Sequence, residues 1–467
     1  MAISETTTIP AAARIRPDDD ASGVDKALRI AFVLASGVII FIAGALISAA
    51  NIFPGPEIAA AYQGGRALYE KLTLTSDPFA TDLWKPERTT DKGTTVYDPE
   101  AVQPGVTLYA SGHDAAAYLI DMNGRVLHEW RRPFSSVWND TAKVKTPQPD
   151  PYVYFRKVRM FENGDLLAIY EGVGDTPYGY GMVKLDRNSN ILWSFLDYTH
   201  HDFDVGPDGR IYVLTHDFSR TPTPEFGNLQ NPRIEDSLVV LSPDGRELQR
   251  IPLLDPVAKS RYRHLLHTVS SYSVGDPLHT NDVDLISKAA ARNFPFGKPG
   301  QILISFRELN AIGVLDVRQK RMTWMARGPW IGQHDPDILP NGNIILFDNY
   351  GEFEGPRGTS RIVEFNPRTT GIVWRYVGEP GNRFDSNIRS EQQRLANGNT
   401  LIVESNGGRI LEVTPAGRTV WQFINPVRGG AKGEKIAIVS SAERLPAADV
   451  GFVQLAHDRN KQGKAGP

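Results

Sequence analysis

The residues that could do chemistry in this chain are histidines at one recurring place. The clearest instance is 331–349, IGQHDPDILPNGNIILFDN, a His-Asp pair leading into an alternating strand, a Pro-Asn-Gly turn and an apolar strand. Two strands across a tight Asn-Gly turn read as a β-hairpin. Variants follow the same plan at 200–217 (HHDFDVGPDGRIYVLTHD), 390–406 (SEQQRLANGNTLIVESN) and 155–171 (FRKVRMFENGDLLAIYE). A looser version joins HTNDVDLI at 279–286 to GQILISFRELN at 300–310. Aligned on their turns, these units bring His334, His201, Ser390 and Arg156 to one level. Asn281 falls at the same level, with His279 two residues before it and Arg307 at the end of the partner strand.

Such a set supports two kinds of chemistry. Three neutral imidazoles can hold a metal such as zinc. Arg307 would be a poor neighbour for a cation, however, and no carboxylate converges with the histidines in the alignment. The second kind is an oxyanion site: arginine offers a planar fork of donors to sulfate or phosphate, and histidine can act as acid, base or nucleophile. The second reading is favoured, so neither a metal nor a cofactor is expected. His113, His128, His216, His264, His267 and His457 occupy no matched position and are read as structural.

The elements that must position these groups repeat as well. A second hairpin alternates with the first, its turns beginning at Asp121, Asp186, Ser242, Asp316, Asn366 and Thr414. Five of the six carry a Trp late in the second strand. Six units of roughly 50–70 residues, each with four short strands, are the signature of a β-propeller. The expected fold is therefore an all-β six-bladed propeller over 102–457, with the histidine-bearing strands innermost and the Trp-bearing strands outside. The first blade lacks an inner partner, which 435–439 or 450–455 is expected to supply.

Gly (42) and Pro (33) are spread along the 467 residues, as turns between many strands require. A net charge of −3 gives no basic face for nucleic acid. The absence of cysteine excludes thiolate catalysis, Cys-ligated metals and disulfides. Residues 30–50 form an uncharged apolar run long enough to cross a bilayer core. Arg14, Arg16, Lys26 and Arg29 precede it, and only Arg66 and Lys71 follow soon after, so the N-terminus is expected inside. The predicted organisation is a disordered cytoplasmic tail (1–25), a single-pass inner-membrane signal anchor (26–53), a connector (54–101), the propeller on the periplasmic side, and a flexible tail (458–467). Within the connector, 55–72 reads as an amphipathic helix and 77–95 as loop.

HHDFDV, HTN followed by SFR, and GQHDPDILPNGNIILFDN together resemble the bacterial arylsulfotransferases, periplasmic six-bladed propellers that use no phosphoadenosine donor. The resemblance covers roughly residues 102–445. It implies transfer of a sulfuryl group from a phenolic sulfate ester to a phenol by a ping-pong route. By it, His334 is the nucleophile that becomes transiently sulfated. His279, Asn281 and Arg307 hold the sulfate oxygens, and His201 rather than His200 shuttles the phenolic proton. Ser390 places a further hydroxyl within reach, and Arg156 joins the substrate-binding set. The chain departs from well-known members in lacking any disulfide and in an insertion at 287–299, expected to reshape the mouth. The alternatives are a membrane-tethered binding platform and a metal-dependent propeller hydrolase or lyase.

Overall fold

The computed structural model describes residues 19–49, 52–55, 77–352, 355 and 357–453. Most of the expected N-terminal tail, the amphipathic helix at 55–72, His457 and the 458–467 tail lie outside the described residues. The chain divides into two compact units, Met1–Thr73 and Leu74–Pro467. The first contains a helix, Asp19–Ala49, whose segment Gly23–Ile47 is long and apolar enough to cross a membrane. Its large apolar side chains, Phe32, Ile40 and Phe41 among them, are exposed along its length.

The second unit is a six-bladed β-propeller of antiparallel sheets. Blade 1 takes its innermost strand, Val439–Leu445, from the end of the chain, followed outward by Val106–Ser111, Ala116–Ile120 and Val126–Arg131. Blades 2 to 5 are each four consecutive strands and begin at the innermost strands Val153–Met160, Thr199–Val205, Thr280–Leu285 and His334–Ile338. Blade 6 begins at Glu391–Arg394 and gains a fifth, outermost strand, Gly93–Tyr97, paired with Thr419–Ile424. The closing strand thus shares only Val439 with the expected 435–439 and nothing with 450–455. Lys435–Ala437 instead pairs with Trp84–Pro86 and Arg428–Gly429 in a small separate sheet. Two strands therefore stand where 77–95 reads as loop; Lys, Thr and Gly there give no apolar alternation, and neighbouring strands supply the pairing.

The middle strands are buried on both faces because alternate side chains face different blades. In Leu166–Gly172, Leu166, Ala168 and Tyr170 pack towards blade 1, while Leu167 and Ile169 pack with Phe203, Val213 and Val239 of blade 3. Each such fully buried aliphatic contributes about 1.5–3 kcal/mol. The outer strands hold neighbouring blades together through hydrogen bonds to the second residue of the next blade's outer turn. Trp193 Nε1 donates to Pro243 O at 3.2 Å, Trp374 to Pro415 O at 2.8 Å and Trp421 to Met122 O at 2.8 Å. Where the Trp is missing in blade 3, Gln249 Nε2 donates to Val317 O at 3.2 Å. In blade 1, His128 Nε2 lies 2.8 Å from Arg187 O in the corresponding place. Three of the five recurrent Trp residues are thus ties to the next outer turn, and Trp130 donates instead to Gly164 O of blade 2. The first turn residue fixes each outer turn: Asp121 Oδ1, for example, accepts the N–H groups of Asn123 and Arg125.

The insertion at 287–299 follows Leu285, at the end of its strand away from His279. It does not reshape the mouth. Phe294 and Phe296 pack on Trp324, and Asn293 Nδ2 donates to Pro340 O in the inner turn of blade 5.

Candidate active site

The innermost strands of blades 2 to 5 are interrupted at the level where the aligned histidines stand, whereas that of blade 6 pairs in continuous register. The register slips between Phe155 and Val158, Thr199 and Phe203, Thr280 and Asp282, and His334 and Asp337. These are bulges, which re-aim side chains at strand ends. His201 (φ 54°), His279 (φ 43°), Asp335 (φ 53°), Arg389 (φ 60°) and Ser390 (φ 80°) adopt left-handed backbone there. Such conformations cost of order 1–3 kcal/mol each and persist where the surroundings enforce them.

A cavity of about 270 Å³ opens at this level, lined by Arg156, His201, His279, Arg307 and His334. Five of the seven residues singled out from the sequence therefore meet. Asn281 and Ser390 do not line it. They lie in a small void beneath, shared with Arg156, His201 and His334. Asn281 Nδ2 donates to Gln333 O at 2.8 Å, and Ser390 exchanges hydrogen bonds with Ser405, N–H to hydroxyl in both directions at 3.1 Å. Repeat alignment ranks them with the histidines because it cannot see the local backbone: a register slip sits at Asn281, and a left-handed Arg389–Ser390 step precedes the regular strand of blade 6.

His334 is buried, and its Nδ1 lies 2.8 Å from Asn349 Oδ1 and 3.1 Å from Gly332 O. Asn349 Nδ2 donates to Ser386 O (2.7 Å) and Arg389 O (3.1 Å), so its Oδ1 must face the imidazole. Both neighbours of Nδ1 are acceptors. The proton therefore sits on Nδ1, and Nε2 carries the lone pair. Burial, then the charges of Arg307 and Arg156, hold this imidazole neutral to well below the usual histidine range. A neutral imidazole with a fixed tautomer can serve as a nucleophile.

His279 differs. Burial alone would lower its pKa, but the carboxylate of Asp276, 2.6 Å from Nδ1, raises it above the ordinary 6.5. Its ring stands 5.1 Å from that of His201, centroid to centroid. His201 is held neutral by burial and by the positive field of His279. Its Nδ1 is 2.8 Å from His200 Nδ1, so one of the pair carries the proton and the other accepts it. Asp236 Oδ1 stands 3.6 Å behind His200 Nε2. The hydrogen bond ends at His200, because neither its Nε2 nor Asp236 Oδ1 has a hydrogen-bond partner; His200 therefore fixes the tautomer and orientation of His201.

Sequence reasoning missed several residues around this cavity. Tyr178, from the loop after Leu166–Gly172, packs edge-on to His201, and its buried hydroxyl has no partner. Burial holds that hydroxyl protonated, so it is available as a donor. Arg389 stacks over Tyr154 and pairs with Asp82 at 2.9 Å, with its Nη1 unpartnered. Acids are also present, contrary to the expectation of none. Glu171 accepts the His201 N–H at 2.8 Å and the Tyr154 hydroxyl at 2.8 Å, and both Asp82 and Asp175 line the cavity. They come from a partner-strand end, a loop and the N-terminal segment, none of which is a matched repeat position. The available signal for Arg389 was its place directly before the aligned Ser390; nothing in the pattern signals Asp82.

Among the described residues, His200, His216 and Asp236 form one trio of metal-ligand type. The two rings lie nearly parallel, 4.4 Å apart at 21°, so their in-plane lone pairs do not converge on one ion. His216 Nε2 also accepts the Gly179 N–H at 3.4 Å, which puts its proton on Nδ1. Of the trio only His200 reaches His201, through Nδ1 at 2.8 Å, and His200 Nε2, His216 Nδ1 and Asp236 Oδ1 have no hydrogen-bond partner.

Solved structures with similar architecture are distant. A Bacteroides caccae protein of unknown function is 13% identical, with 73% of this chain and 98% of that chain covered and a TM-score of 0.45. Virginiamycin B lyase from Staphylococcus aureus is 12% identical, covering 73% and 88%, with a TM-score of 0.37. The WD40 β-propeller domain of Doa1 is 11% identical, covering 74% and 87%, also at 0.37. No curated protein matches the chain. A family model does: the arylsulfotransferase (ASST) model spans residues 157–426, from the innermost strand of blade 2 to the end of blade 6. That span is more than half of the chain and contains His201, His279, Arg307 and His334; the chain belongs to the arylsulfotransferase (ASST) family.

Proposed function

We propose that this protein transfers a sulfuryl group from a phenolic sulfate ester to a phenol through a sulfated His334. The observation that carries the reading is the tautomer of His334. Asn349 and Gly332 take the Nδ1 proton, leaving the Nε2 lone pair beside the cavity lined by Arg307, Arg156 and the cationic His279. In the first half-reaction Nε2 attacks sulfur, the S–O(aryl) bond breaks, and the cationic His279 gives its proton to the departing phenolate while the neutral His201 beside it accepts a hydrogen bond or donates one. Arg307, Arg156 and His279 offset charge on the sulfuryl oxygens. In the second half-reaction the acceptor phenol returns a proton to His279 as its oxygen attacks sulfur, and the N–S bond breaks, which restores the cationic His279 and the neutral His334. Tyr178 is positioned to donate to an oxygen of the group in transit. Asn281 and Ser390 act from below, holding the floor on which Gln333 and Arg389 rest.

The N-terminal helix supports a second part of the reading, a single-pass inner-membrane tether with the propeller on the periplasmic side. The basic residues before it and the long uncharged run are what favour that orientation.

The test is turnover of a chromogenic aryl sulfate with phenol as acceptor, beside His334→Ala and a chelator control. Acceptor-dependent turnover abolished in the variant and indifferent to chelator is the expected result. Undiminished turnover in His334→Ala would refute the nucleophile, and loss to chelator would move the chemistry to a metal.

A further inference from the structure

Below the histidines the innermost strands resume their regular alternation, and every second side chain faces the channel. Blades 3, 4 and 5 each contribute an Asp-x-Asp: Asp202 with Asp204, Asp282 with Asp284, and Asp335 with Asp337. Glu391 and Glu443 join them from blades 6 and 1, against only Lys157 and Arg159 from blade 2. A second cavity of about 270 Å³, bordered by all of these groups except Asp282, continues the channel away from the candidate active site; Asp282 lies at its upper end, in the small void whose walls Lys157, Asp202, Asp335 and Glu391 share with it.

Several of the carboxylates have a structural task. An innermost strand leaves backbone N–H groups unpaired on its channel edge, and the acid of the preceding blade accepts them. Asp202 takes the Val283 N–H at 3.1 Å, Asp204 that of Leu285 at 2.9 Å, Asp335 that of Gln392 at 2.6 Å, and Glu391 that of Ala442 at 3.3 Å. The pattern fails at blade 4. The position that should donate to Asp282 is Pro336, which has no N–H. Asp282 Oδ2 is left without a partner although the residue is only 3% exposed. The amide oxygen of Gln392, on the wall of the second cavity and 5% exposed, is also unpartnered.

Unpaired acceptor oxygens beside an excess of buried carboxylates call for a cation with a preference for oxygen. The channel carboxylates do not close to the spacing at which three would ligate one bare ion. A cation that keeps part of its water shell fits that wider ring, as Mg²⁺ does by habit and Ca²⁺ can.

We propose that the channel beneath the histidines binds one partly hydrated divalent cation, Mg²⁺ or Ca²⁺, with Asp282 and Asp284 as its principal holders. The site is separate from the sulfuryl-transfer reading and does not depend on it. It would tie blade 4 to its neighbours at the interface that lacks the carboxylate-to-backbone bond.

The test uses the full-length protein in detergent, stripped with EDTA and dialysed, then titrated with MgCl₂ or CaCl₂ at constant ionic strength. Equilibrium dialysis with elemental analysis, and thermal unfolding, are the two readouts. One saturable ion per chain and a rise in Tm absent with NaCl are expected. Asp282→Asn with Asp284→Asn should weaken binding at least tenfold while leaving the cation-free Tm no lower, because repulsion is relieved. Pro336→Ala, which restores a backbone donor for Asp282, should weaken binding too. No saturable binding, a Tm rise matched by NaCl, or full affinity in the double variant would each overturn the proposal.

Discussion

Asn349→Ala tests whether the tautomer of His334 sets its reactivity. Asn349 does not line the cavity, so substrate contacts survive the change. What is lost is the acceptor 2.8 Å from Nδ1. As Nε2 gains a sulfuryl group the ring becomes cationic, and the Nδ1–H bond to Asn349 becomes charge-assisted. Such a bond contributes about 1.5–3 kcal/mol, and about 1.4 kcal/mol is a tenfold change in rate. The first half-reaction should therefore slow by roughly ten- to a hundredfold, with little change in the KM for donor. The same variant strands the carbonyls of Ser386 and Arg389, at a cost of about 1–3 kcal/mol in stability. The assay must accordingly separate chemistry from folding. A stopped-flow burst of phenol release without acceptor, normalised to folded protein by circular dichroism, does so. A burst rate within about threefold of wild type, less than about 0.7 kcal/mol, would refute the reasoning.

Four further outcomes follow. His279 is cationic through Asp276, and a raised histidine is protonated below its folded pKa and loses charge above it, so kcat/KM should fall on an alkaline limb above pH 6.5. Asp276→Asn should move that limb to lower pH in the same pH–rate profile, while the acid limb, set by the depressed His334, stays well below 6.5. Arg307→Lys keeps the charge but loses the planar fork and should lower kcat/KM by roughly ten- to a hundredfold, read with a single aryl sulfate. Trp421→Phe removes a buried donor to Met122 O and should cost about 1–3 kcal/mol in denaturant unfolding, with kcat unchanged.

The propeller was legible because its signals are local and repeated: a turn residue, a Trp and an alternating strand, each recurring blade by blade. Physics that acts between blades left weaker traces. The closing strand Val439–Leu445 contains Ser441 and Glu443, which face the channel, and Arg444, buried against Glu412 and Trp421, so it does not read as apolar core. The site was legible as far as repeat alignment reaches. His334, His201, His279, Arg307 and Arg156 meet because each blade delivers its residue to the same level. The bulge that lowers Asn281 and the left-handed step that lowers Ser390 have no simple residue signature. Asp82, Tyr178 and Arg389 reach the cavity from segments outside the aligned positions, and Asn349 was quoted as the end of a hairpin without a role. Pro336 stood in plain view in HDPDI, but its consequence depends on a carboxylate of the neighbouring blade.

The central claim is that sulfur becomes bonded to one nitrogen of one histidine. The direct measurement is peptide mass spectrometry after mixing the protein with an aryl sulfate in the absence of phenol and quenching in alkali, which preserves an N–S bond. The account predicts the added mass of one SO₃ on the peptide containing His334, removed by later addition of phenol and absent from His334→Ala. A stoichiometric SO₃ adduct on another residue, or a burst of phenol with no adduct on His334, would contradict it.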